Sequence, residues 1–267
     1  MSAPRESVTD ARRDSRDRFV VLGASNVSRA TPQIVALARA AHAGPLEILM
    51  AHGHGRSYGT WSRVLWVREL PGIDGCGLWP ALASRAAPRT SAIVTDVGND
   101  LVYGVTPAVV AGWVERALDR LLDARAKIVV TAVPVASLVR LGRARFHVAR
   151  AILFPGRTLV LEEVVERARE LDALVERLTA SRGIARVVPR ADWYGLDPIH
   201  VRLSRRSHVF ATLAGEVLGP VSARAPNRDD RALLSTSRPE WRRWFGRDQR
   251  CAQPSGTAPD GTTMAWY

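Results

Sequence analysis

The chain has 267 residues, 46% of them hydrophobic, and a formal net charge of +12. That length suffices to bury the core of one domain, and no apolar run approaches the roughly 20 residues of a membrane span. The two cysteines, Cys76 and Cys251, are too few for a disulfide framework and lack metal-ligand spacing. Lys127 is the only lysine, so the positive charge is almost entirely arginine. Arginine favours flat, bidentate contact with phosphate or carboxylate. The excess therefore reads either as a nucleic-acid surface or as a bias in codon usage, since acidic residues are interleaved through much of the chain. Charge alone names no partner, and nucleic acid is not the favoured one.

Residues 1–17 mix both charge signs with little apolar content, which predicts a disordered segment. They also lack a signal-peptide core, so the cytoplasm is the expected location. Phe19–Leu22 reads as a short strand covered on both faces, because the apolar/polar alternation of a half-exposed strand is missing. Gly23 turns the chain, Ser25 and Asn26 follow, and residues 28–43 have the pattern of a helix. Gly44-Pro45 stops that helix and Leu46–Met50 reads as a second buried strand. The stretch 51–59 then carries glycines at 53, 55 and 59, which call for an unusual backbone or close approach to a ligand. Residues 60–90, with Trp61, Trp66 and Trp79 among prolines and glycines, read as irregular with one or two helical pieces. These tryptophans and Trp113 are expected in the core or a pocket wall.

Ser91–Thr95 is the third expected strand and runs into Asp96-Val97-Gly98-Asn99-Asp100. Thr106-Pro107 opens a helix with a capping residue followed by proline, and Val109, Val110, Trp113, Val114, Ala117, Leu118, Leu121 and Leu122 trace its apolar stripe. Lys127–Ala132 is the fourth strand. A long connection leads to a helix over about Leu159–Ser181, and Ala185–Val188 is the fifth strand. Asp197-Pro198 reads as the start of the last core helix, with Ile199, Val201, Leu203, Phe210, Leu213 and Val217 inward. From Val221 the chain is rich in Arg, Pro, Ser and Thr. The expected organisation is thus a disordered segment 1–17, one α/β domain over 18–220 and a flexible tail over 221–267. Alternating strands and helices predict a three-layer α/β/α sandwich around a mainly parallel five-stranded sheet.

The polar residues that stand out each follow an expected strand. They are Ser25 after the first, Gly55 after the second, Asn99 after the third, and Asp197 with His200 after the fifth. A parallel sheet gathers those strand ends at one edge. Acyl transfer requires such a set: a serine hydroxyl needs a base, for which His200 is the candidate, and the imidazole needs an orienting carboxylate, for which Asp197 is placed. The backbone amides of Ser25 and Gly55 and the side-chain amide of Asn99 would form an oxyanion hole. Taken singly, each has an ordinary alternative: Ser25 and Asp197 as helix caps, His200 as a core histidine, Asn99-Asp100 as a turn.

Gly23-Ala24-Ser25, Gly55, Gly98-Asn99-Asp100 and Asp197-x-x-His200 stand in the order and approximate spacing of the SGNH hydrolases, the GDSL-type esterases and lipases, and the chain resembles that family over about residues 19–218. The resemblance implies a flavodoxin-like fold and serine esterase chemistry on a carboxylic ester with an acetyl or short acyl group. Ser25 would be the nucleophile, His200 the base, Asp197 its partner, and Gly55 and Asn99 oxyanion donors. It implies no metal and no organic cofactor. The family's Gly-Asp-Ser is Gly-Ala-Ser here, so Ala24 removes a carboxylate that ordinarily helps to hold the nucleophile loop. Gly53 competes with Gly55 for the oxyanion role, and Gly55 is preferred by position.

Acyl transfer to an alcohol would use the same residues, and an inactive phosphate- or nucleic-acid-binding protein of the same fold is the alternative from another class. The stretch 124–161 contains no acidic residue but carries Arg140, Arg143 and Arg145. It reads either as a basic lid recruiting an anionic or carrier-bound ester, or as a solvated loop. His52-x-His54 lacks an obvious third metal ligand. The segment Arg238–Phe245 mixes aromatics with arginine and reads as an amphipathic piece of the tail.

Overall fold

Residues 16–64, 67–85, 87–142, 145–148, 160–195 and 197–267 are described by the structure, a computed structural model. The elements run β1 (Asp17–Leu22), α1 (Ser25–Ala40), β2 (Leu46–Ala51), β3 (Ser62–Val64), β4 (Arg68–Leu70), α2 (Leu78–Ser84), β5 (Thr90–Val94), α3 (Pro107–Asp123), β6 (Ala126–Thr131), α4 (Val135–Val139), α5 (Leu161–Ser181), β7 (Ala185–Val187), α6 (Arg206–Leu218), α7 (Arg228–Thr236) and the strands β8 (Trp241–Trp244), β9 (Arg247–Arg250), β10 (Gly256–Thr257) and β11 (Thr263–Trp266). The five expected strands are β1, β2, β5, β6 and β7, and they pair in parallel. Their order in the sheet is β2-β1-β5-β6-β7. This is the doubly wound flavodoxin-like order, in which the chain reverses direction across the sheet between the first and third strands.

Alternate residues of each strand serve opposite faces. Val20 and Leu22 of β1 join Leu49, Val94, Val114, Leu118 and Leu171 in one apolar cluster, which α3 and α5 cover. Phe19 and Val21 join Ile34, Ile48, Phe210 and Leu213 in the other, which α1 and α6 cover. Both faces of β1, β2, β5 and β6 are buried, which is why their sequences are dominated by apolar residues, whereas the edge strand β7, Ala-Arg-Val, is only half-buried. The stripe of α3 is as expected at Val110, Val114, Ala117, Leu118 and Leu121, but Val109 and Leu122 lie at the solvent edge. Pro107 takes the first helical position, while the Thr106 hydroxyl makes no capping bond.

Three expectations are corrected. The sheet has seven strands, because the C-terminal segment adds β11 parallel to β2 and β10 antiparallel to β11. The expected flexible tail is built into the fold instead. The buried strand β2 has an open edge that would otherwise present unpaired backbone groups, and β11 covers it with Met264 and Ala265 buried. Capped by Asn227 in a reciprocal box with Asp230, α7 is tied to α1 where Arg39 meets Asp230 at 2.5 Å. The last core helix starts at Arg206 and not at Asp197, and Leu203 is 73% exposed. Residues 197–200 form bends that serve the site described below.

The stretch 60–90 holds two strands that its composition hides. With β8 and β9 from the C-terminal segment, β3 and β4 form a separate four-stranded antiparallel sheet. Trp61 and Trp241 meet edge to face there at 4.7 Å, and the guanidinium of Arg243 lies over Trp61 at 4.2 Å. Trp61 is therefore a surface residue of the small sheet, whereas Trp79 is buried in the core; Trp66 lies outside the described residues. No helix among the described residues is long and apolar enough to cross a membrane.

Candidate active site

Ser25 is the first residue of α1, at the reversal point of the sheet. Gly23 makes the turn possible: a Cβ there would lie 2.5 Å from Val27 Cγ2 and 2.9 Å from Thr95 Cγ2, so any side chain would drive the loop away from the ends of β1 and β5. The capping position is Ala24, with no side-chain cap. The Ser25 hydroxyl is thus not spent on the helix end and lies 2.8 Å from His200 Nε2.

On its other side His200 Nδ1 lies 2.5 Å from Asp197 Oδ2. Asp197 Oδ1 accepts the backbone amides of Ile199 and His200, both at 3.2 Å. One carboxylate therefore closes the bend and orients the ring. Burial works against the charge of Asp197, but the His200 ring and these two amides outweigh it and hold the carboxyl below its usual range. With Nδ1–H donated to Asp197, Nε2 is left as acceptor for the serine proton. Ser25 and His200 are both buried.

Two residues not singled out in the sequence hold this arrangement together. Asp96 follows β5 in a left-handed conformation, φ 59°. Its Oδ2 accepts the amides of Ala24 at 2.8 Å and Asn26 at 3.0 Å, and its Oδ1 accepts Asn26 Nδ2 at 2.7 Å. Asn26 also donates to the Ile199 carbonyl at 2.9 Å and accepts from Val201 N at 2.8 Å. Asp96 thus supplies from β5 the carboxylate that Ala24 lacks, and Asn26 clamps the serine turn to the histidine bend. The positions were visible in the sequence, next to Ser25 and to Gly98-Asn99. Their partners lie 70 to 175 residues away, so only the fold discloses them.

The oxyanion candidates are arranged around the same edge. As the first amide of α1, Ser25 N has no intrahelical partner, and Asn99 lines the cavity beside Ser25. Asn99 Nδ2 gives one hydrogen to the Arg56 carbonyl at 3.0 Å, which leaves a second. Gly55 stands in a left-handed conformation, φ 66°, where its Cβ would meet Tyr103 Oη at 2.8 Å. Gly53 instead packs on Leu70 Cδ1, 2.3 Å from where a Cβ would be. The turn is anchored to the Asn99 loop by buried Asp100, whose Oδ2 accepts Tyr58 N at 2.8 Å.

A cavity of about 80 Å³ adjoins Ser25, with Val97, Leu101, Val133, Leu138 and Ile199 among its lining residues. Arg140 and Arg145 are exposed, and Arg143 lies outside the described residues. The two loop histidines separate. His52 is buried, stacked on Trp266 at 4.8 Å, with Nδ1 2.9 Å from Ser28 Oγ. Burial, reinforced by the Arg56 charge, pushes its pKa down to about 3. His54 is exposed. Among the described residues no group of three or more His, Cys, Asp or Glu side chains could hold a metal ion.

Fold and site together describe an open, doubly wound α/β protein with a serine–histidine–aspartate hydrogen-bond chain at its reversal point. Solved structures similar to this chain include that of TesA, at 15% identity and a TM-score of 0.47, covering 76% of this chain and 98% of that one. Another is a member of the lipolytic protein G-D-S-L family from Veillonella parvula, at 11% identity and a TM-score of 0.45, covering 75% and 97%. A third is the psychrotrophic esterase EstA from Pseudoalteromonas sp., at 10% identity and a TM-score of 0.45, covering 75% and 96%. No family model and no curated protein matches the chain.

Proposed function

We propose that the protein is a serine hydrolase that cleaves a carboxylic ester of a small molecule through an acyl-enzyme on Ser25. The observation that carries this reading is the unbroken chain Ser25 Oγ, His200 Nε2, His200 Nδ1, Asp197 Oδ2, with links of 2.8 and 2.5 Å. A buried serine beside an imidazole in the accepting tautomer is an activated nucleophile. No capping or packing role accounts for both contacts of the ring.

In the first half-reaction Ser25 Oγ attacks the ester carbonyl carbon while its proton passes to His200 Nε2. The imidazolium is stabilised by ionised Asp197, which does not itself take the proton. Negative charge on the carbonyl oxygen is met by the amides of Ser25 and Gly55 and by Asn99 Nδ2; each such donor is worth about 3–4 kcal/mol. The tetrahedral intermediate collapses as His200 returns the proton to the departing alkoxide, releasing the alcohol. Water then attacks the acyl-enzyme, His200 takes its proton, and the carboxylic acid leaves as Ser25 Oγ is reprotonated. The small apolar cavity beside Ser25 favours a short acyl group.

Covalent labelling with a fluorophosphonate probe tests the reading. The wild-type protein is expected to label, Ser25→Ala to lose the label entirely, and His200→Ala to lose nearly all of it. A folded wild-type protein that does not label removes the activated serine, and with it the proposal.

A further inference from the structure

Arginines on four elements flank the turns that carry Ser25 and Gly55, which abut where Ser28 Oγ lies 2.9 Å from His52 Nδ1. Arg29 lies one turn beyond Ser25 on the same face of α1. Arg206, at the start of α6, donates from Nη1 to the Arg29 carbonyl at 3.1 Å. Across the mouth, Arg68 of β4 donates from Nη2 to the carbonyl of His54 at 3.1 Å, and His54 directly precedes Gly55. Arg242 of β8 lies beside Arg68, its guanidinium over Trp244 at 5.4 Å. Partial burial and then the charges of Arg68 and Arg29 lower the pKa of His54.

Several guanidinium groups of the chain are neutralised by carboxylates, as Arg18 by Glu47, Arg39 by Asp230 and Asp260, and Arg182 by Glu115 and Asp119. Among the described residues no carboxylate pairs with Arg29, Arg68, Arg206 or Arg242. The two carboxylates of the site are committed, Asp197 to His200 and Asp96 to the serine turn. Burial and the neighbouring Arg242 lower the pKa of Arg68, and burial and Arg29 lower that of Arg206. Half-buried like charges held together without counter-charge are unfavourable in the free protein. An anion between them relieves that cost.

We propose that this rim binds a phosphate or carboxylate on the alcohol portion of the ester, so that the substrate is an acylated anionic molecule with its apolar acyl group directed into the cavity at Ser25. Arginine forks suit both anions through paired N–H donors. The inference rests on Ser25 being the nucleophile, and it moves substrate recruitment from the exposed Arg140 and Arg145 to the mouth itself.

The test compares butyryl esters of glycerol, glycerol phosphate and lactate, which share an acyl group and differ in the charge of the alcohol. At low salt kcat/KM for at least one anionic ester is expected to exceed that of the glycerol ester by about tenfold or more, and salt narrows the gap. Arg29→Gln with Arg68→Gln should cost the anionic ester about tenfold more than the neutral one, through KM. The lysine pair, which keeps charge but not the fork, should cost less. Which anion gains decides between phosphate and carboxylate. Equal kcat/KM on all three esters overturns the proposal. So does an equal loss in the glutamine variant, or a loss of preference in Arg140→Gln with Arg145→Gln alone. Calorimetric binding of glycerol phosphate and lactate to Ser25→Ala separates the two levels. If an anion binds and Arg29→Gln with Arg68→Gln abolishes binding, while no ester turns over and no probe labels, the rim stands and the hydrolase reading falls. If neither anion binds, the rim falls.

Discussion

At the scale of single residues, the site is defined by which hydrogen bonds are already spoken for. The Ser25 hydroxyl is free for His200 because Ala24 occupies the capping position and the serine turn hangs on Asp96. A second serine–histidine contact, Ser28 with His52, is chemically different: Ser28 Oγ also lies 2.9 Å from the Ala24 carbonyl, and His52 is neutral and sealed beneath Trp266. The residue that most sharply separates positioning from fold is Asp96. Asparagine there keeps the shape but presents only one accepting atom to three donors. Asp96→Asn is expected to fold, to unfold about 1–3 kcal/mol more easily because buried donors lose partners, and to lose about 10²-fold in kcat through a misplaced serine. Steady-state kinetics beside a urea titration checks both. Lower stability with unchanged kcat would make Asp96 a structural tie only.

At the scale of elements, the C-terminal strand packs against the turn beside the candidate site. Trp266 pairs with Met50 on β2, stacks on His52, and donates from Nε1 to the His52 carbonyl at 3.0 Å. Arg56, fully buried, donates to the carbonyls of Pro71, His52 and Tyr267. The turn that carries His54 and Gly55 is thereby held between β2 and β11. Trp266→Ala removes the stack and the indole bond, and a loss of about 2–3 kcal/mol is expected. A fall in kcat larger than the fall in folded fraction should accompany it, because Gly55 loses its support. Calorimetry and kinetics at a temperature where the variant remains folded provide the check; an unaltered kcat would detach β11 from catalysis.

At the scale of the whole molecule, buried His52 makes stability depend on pH. Its folded pKa of about 3 lies below the ordinary value of 6.5, so between those limits the unfolded chain binds a proton that the folded chain refuses. Stability then rises with pH. The contribution is complete above about pH 6.5 and is lost progressively as pH falls toward 3. Between pH 7 and 5 it amounts to about 2 kcal/mol. Denaturant titrations across this range should show that slope, and His52→Phe, which can keep a ring against Trp266, should flatten it. A variant with the wild-type slope would assign the dependence to other groups.

The largely apolar stretches Phe19–Leu22, Leu46–Met50, Ser91–Thr95 and Lys127–Ala132 were legible as strands, Ala185–Val188 more weakly because it carries Arg186 at the sheet edge, and the polar residues after them were legible as a set. Both signals are local: a strand buried on two faces must be apolar throughout, and a parallel sheet collects its strand ends at one edge. Ser25, His200 and Asp197 could therefore be grouped before any coordinates. Everything that depends on distant partners was not legible. The pair Met264-Ala265 is too short to announce a strand, and its place comes from the open edge of β2. The bends at 197–200 look like a helix start because Asp-Pro favours one, yet Asp197 closes on the His200 ring instead. Asp96, Asn26 and the arginines at the mouth draw their roles from residues far along the chain. The sequence by itself determined the layered α/β plan and the grouping of Ser25, His200 and Asp197 at one sheet edge, because these follow from periodicity and position along the strands. Only the tertiary structure decided what holds the trio and what charge surrounds it, because those are properties of contacts between segments that composition and spacing do not encode.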